Sequence, residues 1–431
     1  MAFTTSHTVV PGTILQRRIA GGNSISQGVL NGSGSSMLDS QQKNRQRGTM
    51  RCTKHMLLIG LCLVTVIAMY RLSTCGAGDY ASLARVNVLT GSHSLVRDGS
   101  KQTVVLTGGL GFIGSHVAEE LLERNFQVIV YDDESNGHNY NANTFNMHAD
   151  VTVVNDFAQI ERLGLRVDYL IHLAAAISVA ESMKMPEKYA RTNVEGSKKV
   201  FLWALAHGVR HVVAASSAAI YGNPAEDKMP IREEIGYGGV SPYADSKFKM
   251  EKVMESMNKE YGLCATALRF FNVYGPRQDP KSAYSGVISI FMDRAKAGTT
   301  VGVLGDGKQT RDFVYVKDVA HAIITAMLLD SCKFDVFNVC TGKEITVQKL
   351  AETVVELFGT GSKIKNLPPR DGDVKKSVCN PDHAKQGLGF TYRYGVHEGM
   401  KHTRDWFNGD GPRLQQEANA KAAKLRGAVR A

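Results

Sequence analysis

Tyr243 and Lys247 stand four residues apart in the segment SPYADSK, a spacing that puts both on one helix face about one turn apart. A lysine ammonium beside a phenol favours the phenolate, so the pair can act as a base towards an alcohol nearer neutral pH. Some 26 residues upstream, Ser216 and Ser217 close the apolar run 211–215. A hydroxyl there can hydrogen-bond the same substrate oxygen. Tyrosine and lysine fall four apart by chance in many helices, and Met250, Met254 and Met257 continue that stripe as core or subunit contact. What lifts the pair above a plain helix face is a cofactor signal ahead of it.

That signal is TGGLGFIGS at 107–115. Val104, Val105 and Leu106 before it read as a buried strand, and Val117, Leu121 and Leu122 after it recur at helical spacing. Gly108, Gly111 and Gly114, or Gly109, Gly111 and Gly114, leave room for a pyrophosphate to approach backbone N–H groups at a helix N-terminus. A glycine-rich turn with no ligand is the plain alternative. A second strand, QVIVY at 127–131, runs into Asp132, Asp133 and Glu134. An acid at that place suits a ribose 2′-hydroxyl, and three acids without an arginine would repel a 2′-phosphate, which selects NAD over NADP. Asp150 and Val151 close a third strand, and YLIHL at 169–173 leads into Ala174, Ala175 and Ala176, small enough for a cofactor to lie against the backbone. A helix is expected over 187–207. Strands alternating with helices from Lys101 onward predict an α/β fold on a mostly parallel sheet.

In this order the motifs resemble the extended short-chain dehydrogenase/reductase proteins, and within them the nucleotide-sugar 4-epimerases of the UDP-glucose 4-epimerase type. The resemblance covers roughly 103–390 and rests on TGGLGFIGSH, HLAAAISVAES, NVEGS, SSAAIYG, SPYADSK, RFFNVYGPRQDP, GDGKQTRDFVYVKDV and PRDGD. It implies a Rossmann-type doubly wound sheet over 101–272 and a small C-terminal lobe over 273–408 that holds the nucleotide sugar. Some segments of that lobe return to the first domain. By the same resemblance Tyr243 is the acid/base, assisted by Lys247 and by Ser217, which is preferred to Ser216. Gly108, Gly111, Phe112, Ile113, Gly114, Asp132, Asn136, Asp150, Val151, Leu173, Ala174, Ala175, Asn193, Ser216, Tyr243 and Lys247 match positions around NAD. Ser178, Ser217, Asn272, Arg311, Arg370, Asp373 and Ser377 match positions that hold a UDP-sugar. Tyr243 would take the proton of the 4-hydroxyl while hydride passes from carbon 4 to NAD, and hydride would return to the other face of the 4-keto sugar. Dehydratases of this fold carry an Asp-Glu pair after the catalytic Ser or Thr, and decarboxylases a Glu. Ala218 and Ala219 stand there instead and cannot move protons. A small residue at Ser377 is associated with tolerance of N-acetyl groups. Uronate and pentose nucleotides are further candidate substrates, and a non-catalytic NAD sensor is the reading from another class. A homodimer is implied through helices near 187–207 and 243–261.

Charge and composition bound the rest. The chain has 431 residues and a net charge of +10, but eight of its basic residues lie within 1–75 against the single acid Asp39. The body is nearly balanced, so nucleic-acid binding is not expected. Of seven cysteines none has metal-ligand spacing; Cys264, Cys332, Cys340 and Cys379 read as isolated buried thiols, with no disulfide framework and no metal site. Residues 1–55 read as a disordered basic segment and 409–431 as a tail without assigned role. The uncharged run MLLIGLCLVTVIAMY at 56–70 reads as a single-pass signal anchor, with 71–100 as stem. Arg45, Arg47, Arg51 and Lys54 upstream would hold the N-terminus in the cytosol and place the catalytic domain in the Golgi or ER lumen. A cytoplasmic protein and an organelle-targeting extension are the rival readings.

Overall fold

The computed structural model describes residues 101–135, 137, 141, 151–154, 156–280, 282, 286–369 and 374–409. Its first strands are β1 (Thr103–Thr107), β2 (Gln127–Tyr131), β3 (Val151–Val154), β4 (Tyr169–His172), β5 (His211–Ser217) and β6 (Ala265–Phe270). They are followed by β7 (Asn272–Tyr274), β8 (Val301–Leu304), β9 (Thr310–Tyr315), β10 (Asp335–Val339), β11 (Glu344–Thr346), β12 (Ile364–Leu367) and β13 (Lys376–Ser377). Seven of these form one sheet in the order β10-β6-β5-β4-β1-β2-β3, and every pairing in it is parallel.

A parallel sheet with helices on both faces needs strands that are apolar on both sides. β1 shows why TVVLT suits that place. Val104 and Leu106 pack with Val117, Leu121, Val319 and Ile323 on one face, while Val105 packs with Phe201, Met250 and Met254 on the other. The methionine stripe of the helix Pro242–Tyr261 is therefore core. The chain leaves β3 at one edge and returns to β4 on the other side of β1, so the strand order reverses between β1 and β4. Open α/β sheets bind ligands outside the carboxyl ends of the strands at such a reversal.

After β6 a smaller layer forms. β9 carries β7 and β13 as parallel neighbours and β11 as an antiparallel one, while β8 pairs with β12. Phe291, Met292, Leu350, Val354 and Met400 fill its core. β10 rejoins the large sheet, and the helix Val316–Met327 packs its Val319 and Ile323 into that sheet's core. The helix expected over 187–207 is built in three parts, Pro186–Tyr189, a π-helical stretch Ala190–Gly196 and Ser197–Ala206. Strict α-helical spacing gives no sign of the wider turn.

Two expectations are corrected. Among the described residues no helix is long and apolar enough to cross a membrane. The run 56–70, on which the anchor was placed, lies outside them, and its fifteen residues would rise only about 22 Å as a helix against a hydrocarbon core of about 30 Å. The lumenal placement rested on that anchor and falls with it. The four downstream cysteines are not thiols: Cys264 bonds to Cys332 and Cys340 to Cys379. Cys264 precedes β6 and Cys332 precedes β10, so the pairing of those two strands brings together cysteines 68 residues apart. Separations of 68 and 39 leave no spacing signal in the sequence.

The core also holds neutral imidazoles. Burial pushes His211 down to about 4, and burial together with the charge of Lys247 pushes His172 down to about 3. In the unfolded chain such groups bind a proton below about pH 6.5. Their contribution to stability is thus complete above that pH and is lost as the pH falls towards the folded values. His211 Nε2 lies 2.9 Å from Thr266 Oγ1, a contact a glutamine can keep. A His211→Gln variant is expected to lose stability less steeply, by up to about 1.4 kcal/mol per pH unit, between about pH 6 and 4. Denaturant titrations across that range measure it, and identical slopes in the two proteins would refute it.

Candidate active site

The glycine turn joins β1 to the helix Phe112–Glu123 at the strand-order reversal. Gly108 has φ +72°, and its N–H donates to the Tyr131 carbonyl at 2.8 Å, tying the turn to the end of β2. A Cβ on Gly114 would lie 2.1 Å from the Gly108 carbonyl oxygen, closer than any real contact. The helix begins at Gly111 with no side-chain cap and no acid in its first turn, so its leading N–H groups are left for an anion. At the end of β2 the buried Asp132 accepts from Leu110 N at 2.9 Å and Glu134 N at 2.8 Å. Burial raises its pKa, and those two N–H groups oppose the rise.

The candidate catalytic groups come from β5 and the helix Pro242–Tyr261. Ser241 caps that helix by accepting from Ala244 N, and Pro242 opens it, which fixes Tyr243 and Lys247 in its first two turns. The Ser217 hydroxyl stands on the side of the Tyr243 phenol and favours its ionised form. Burial raises the phenol's pKa, and Ser217 works against that rise. Lys247 Nζ donates to the Ala215 carbonyl at 2.9 Å. Burial brings its pKa down to about 8, with Glu251 pulling the other way. Tyr189 meets the Tyr243 ring edge to face at 6.2 Å and holds its orientation.

One cavity of about 880 Å³ is lined by Gly108, Gly111, Phe112, Ile113, Gly114, Asp132, Leu173, Ala174, Ala175, Ser216, Tyr243 and Lys247. Residues from four separate sequence motifs thus share one cleft. Asn193 stands behind its wall. Fully buried, it accepts from Ala176 N, donates to the Ala176 carbonyl and reaches Ser246 Oγ at 3.0 Å. Asn136, Asp150, Arg370 and Asp373 and the side chain of Val151 lie outside the described residues.

The residues expected around the sugar nucleotide are not gathered in this cavity among the described residues. The Ser178 hydroxyl accepts from Glu181 N as a helix cap, and Asn272 Nδ2 donates to the Asp312 carbonyl. Arg311 and Ser377 do meet, as partners in the register of β9 and β13. Sequence reasoning passed over Arg277 and Gln278, which line the cavity near its glycine end. Arg277 is paired with Glu119, and its Nη1 is buried with no partner among the described residues. Both lie inside RFFNVYGPRQDP, so the signal was present. Thr107, His172, Phe157 and Trp203 also line the cleft and carried no signal beyond strand and helix patterning.

A doubly wound sheet, an uncapped helix behind a glycine turn, an acidic end to β2 and a Ser-Tyr-Lys group define a dinucleotide-dependent α/β enzyme. The glycine cradle suits a pyrophosphate and the Asp132 carboxylate a ribose, so the residues present fit NAD. Residues 104–340 match the model of the NAD dependent epimerase/dehydratase family, and the chain belongs to that family. NAD is accordingly its cofactor. A UDP-glucose 4-epimerase of Mycolicibacterium smegmatis is 33% identical over 309 residues, 70% of this chain and 97% of that protein. A UDP-N-acetylglucosamine 4-epimerase from Methanobrevibacter ruminantium M1, solved with UDP-N-acetylmuramic acid, is 34% identical with a TM-score of 0.68, covering 72% of this chain and 99% of that one. The UDP-glucose 4-epimerase of Thermus thermophilus, solved with NAD, is 34% identical with a TM-score of 0.64, again 72% of this chain and 99% of that one.

Proposed function

We propose that this protein is an NAD-dependent nucleotide-sugar 4-epimerase acting on UDP-glucose and UDP-galactose, and on UDP-N-acetylhexosamines as well. The observation that carries the reading is Tyr243 and the buried Lys247 in one cleft at the end of β5, where Ser217 is followed in the chain by Ala218 and Ala219. A proton can be taken from one hydroxyl there, and no carboxylate follows Ser217 to work on neighbouring carbons. Bound NAD supplies a reversible hydride acceptor for carbon 4.

Tyr243 receives the 4-hydroxyl proton and later returns it. Ser217 hydrogen-bonds the same oxygen and keeps the phenol aimed at it. Lys247, held by the Ala215 carbonyl, lowers the cost of the phenolate by its charge. Asp132 holds a ribose of the cofactor, and Gly108, Gly111 and Gly114 its pyrophosphate. Arg311 takes the substrate diphosphate, a task that suits a planar guanidinium. The enzyme works as a homodimer through the helical stretch from Pro186 to Ala206 and the helix Pro242–Tyr261.

The test is incubation of the full chain with a panel of UDP-sugars, following configuration at carbon 4 by NMR. Formation of the epimer from UDP-glucose is expected; no epimer from any member would overturn the reading. Ser377 sits beside Arg311 in the β9–β13 register and is read as the small residue that admits an N-acetyl group. Ser377→Tyr is expected to cut turnover of UDP-N-acetylglucosamine by about 10-fold or more while sparing UDP-glucose. Equal losses on both sugars would remove Ser377 from specificity.

A further inference from the structure

Behind the catalytic group lies a buried ion pair that the chemistry so far leaves unused. Glu251 and Arg269 are 3% and 5% exposed. Arg269 grips the carboxylate with two bonds, Nε to Oε1 at 2.9 Å and Nη2 to Oε2 at 2.6 Å, and Ser216 Oγ donates to Oε1 at 2.5 Å. The third guanidinium nitrogen, Nη1, donates to the Tyr221 hydroxyl at 2.8 Å, which donates its own proton to Asn338 Oδ1 at 2.6 Å. Desolvating two charges costs several kcal/mol each, and well-packed apolar residues often serve stability as well or better. A purpose beyond stability is therefore worth seeking. Glu251 lies one turn beyond Lys247 on the same helix, and its Ser216 bond reaches the end of the strand whose Ala215 carbonyl holds Lys247.

We propose that Glu251, locked by Arg269 and Ser216, is a positioning residue for the acid–base step. It joins the end of β5 to the helix Pro242–Tyr261 and supplies the negative charge that keeps Lys247 an ammonium. This rests on the reading of Tyr243 as the acid/base. The groups that act on Lys247 are Glu251 on its own helix and His172 on β4, and behind Glu251 stand Ser216 on β5, Arg269 on β6 and Tyr221 in the turn after β5, while Tyr189 packs on Tyr243. His172 is neutral across the physiological range, and burial raises the Tyr221 phenol far above it. The charge that opposes the burial of Lys247 is then the carboxylate of Glu251. Burial already lowers Lys247 to about 8, so it has little margin.

Glu251→Gln keeps an acceptor for Ser216 and Arg269 but leaves the guanidinium uncompensated. Lys247 then loses the attraction that opposed its burial. Its ammonium form is depleted near neutral pH, and the Tyr243 phenol becomes harder to ionise. The phenol is titrated by ultraviolet difference absorbance in the full chain with NAD, each protein read against its own Tyr243→Phe counterpart. The phenol titration, and with it the ascending limb of the epimerase pH profile, is expected to move up by about one pH unit in Glu251→Gln. Glu251→Asp, which keeps the charge, should stay near wild type, and the neutralised Glu251→Gln/Arg269→Met double variant, which also lacks the carboxylate, should shift as Glu251→Gln does. A folded Glu251→Gln whose phenol titrates like wild type overturns the proposal. If that variant does not fold, the same outcome in the double variant does so, since neutral pairs are tolerated where a broken pair is not. The phenol titration needs no sugar, so a wild-type protein that forms no epimer counts against the function and not against this inference.

Discussion

Tyr243→Phe is expected to lower kcat by about 10²–10⁴-fold, the range a positioned general acid/base contributes, while NAD stays bound. The phenol hydroxyl is the only feature the substitution removes. The ring keeps its edge-to-face contact with Tyr189, and the helix keeps its Ser241 cap, because neither involves the hydroxyl. Ser217 still accepts from Ala219 N at 3.2 Å. The glycine turn and Asp132 lie at the other end of the cleft and are untouched. Single-turnover assays together with NAD content separate the two effects. A variant with wild-type turnover would remove Tyr243 from the chemistry, whereas one that loses NAD as well would point to a structural cause.

Gly114→Ala is expected to weaken NAD binding by roughly 5- to 150-fold, the equivalent of about 1–3 kcal/mol of overpacking. Its Cβ would sit 2.1 Å from the Gly108 oxygen and 2.7 Å from the Gly109 Cα, and both are backbone atoms of the turn itself. No side-chain rotation relieves that clash; the turn has to open, and the leading N–H groups of the helix move with it. Gly164→Ala is the control. Gly164 has φ +63°, so a methyl group is strained there, but nothing lies within 4 Å of it and it is remote from the cleft. It should cost about 1–2 kcal/mol of stability and leave NAD affinity alone. Calorimetric titration with NAD on both variants checks this, and equal affinity in Gly114→Ala and wild type would show that the turn does not cradle the cofactor.

Much of the site was legible before any coordinates. Asp132, the glycines, Leu173 to Ala175, Ser216, Tyr243 and Lys247 each stand at the carboxyl end of a strand or the first turns of a helix, and local patterning is enough to find such places. Asn193 shows a limit of that reasoning: its motif marks it, but only the tertiary structure shows its amide bonded to Ala176, which lines the cleft. The cysteines show another limit, since a bond between Cys340 and Cys379 depends on where β10 ends relative to β13. The anchor reading fell on residues 56–70, outside the described ones, and no described helix is long and apolar enough to cross a membrane.

Taken by itself, the sequence determined the fold class and the dinucleotide, and it marked the tyrosine and lysine that line the cleft. These follow from short-range features: alternating apolar faces, glycines where a Cβ cannot fit, and a tyrosine and lysine one helical turn apart. Tertiary structure alone decided which buried charges stand behind those residues. Glu251 reads as one more polar residue on a helix, and Arg269 as a charge interrupting an apolar strand. Only the packing of that helix across β5 and β6 brings the two together, and long-range electrostatics in a core depends on distances that no local pattern encodes.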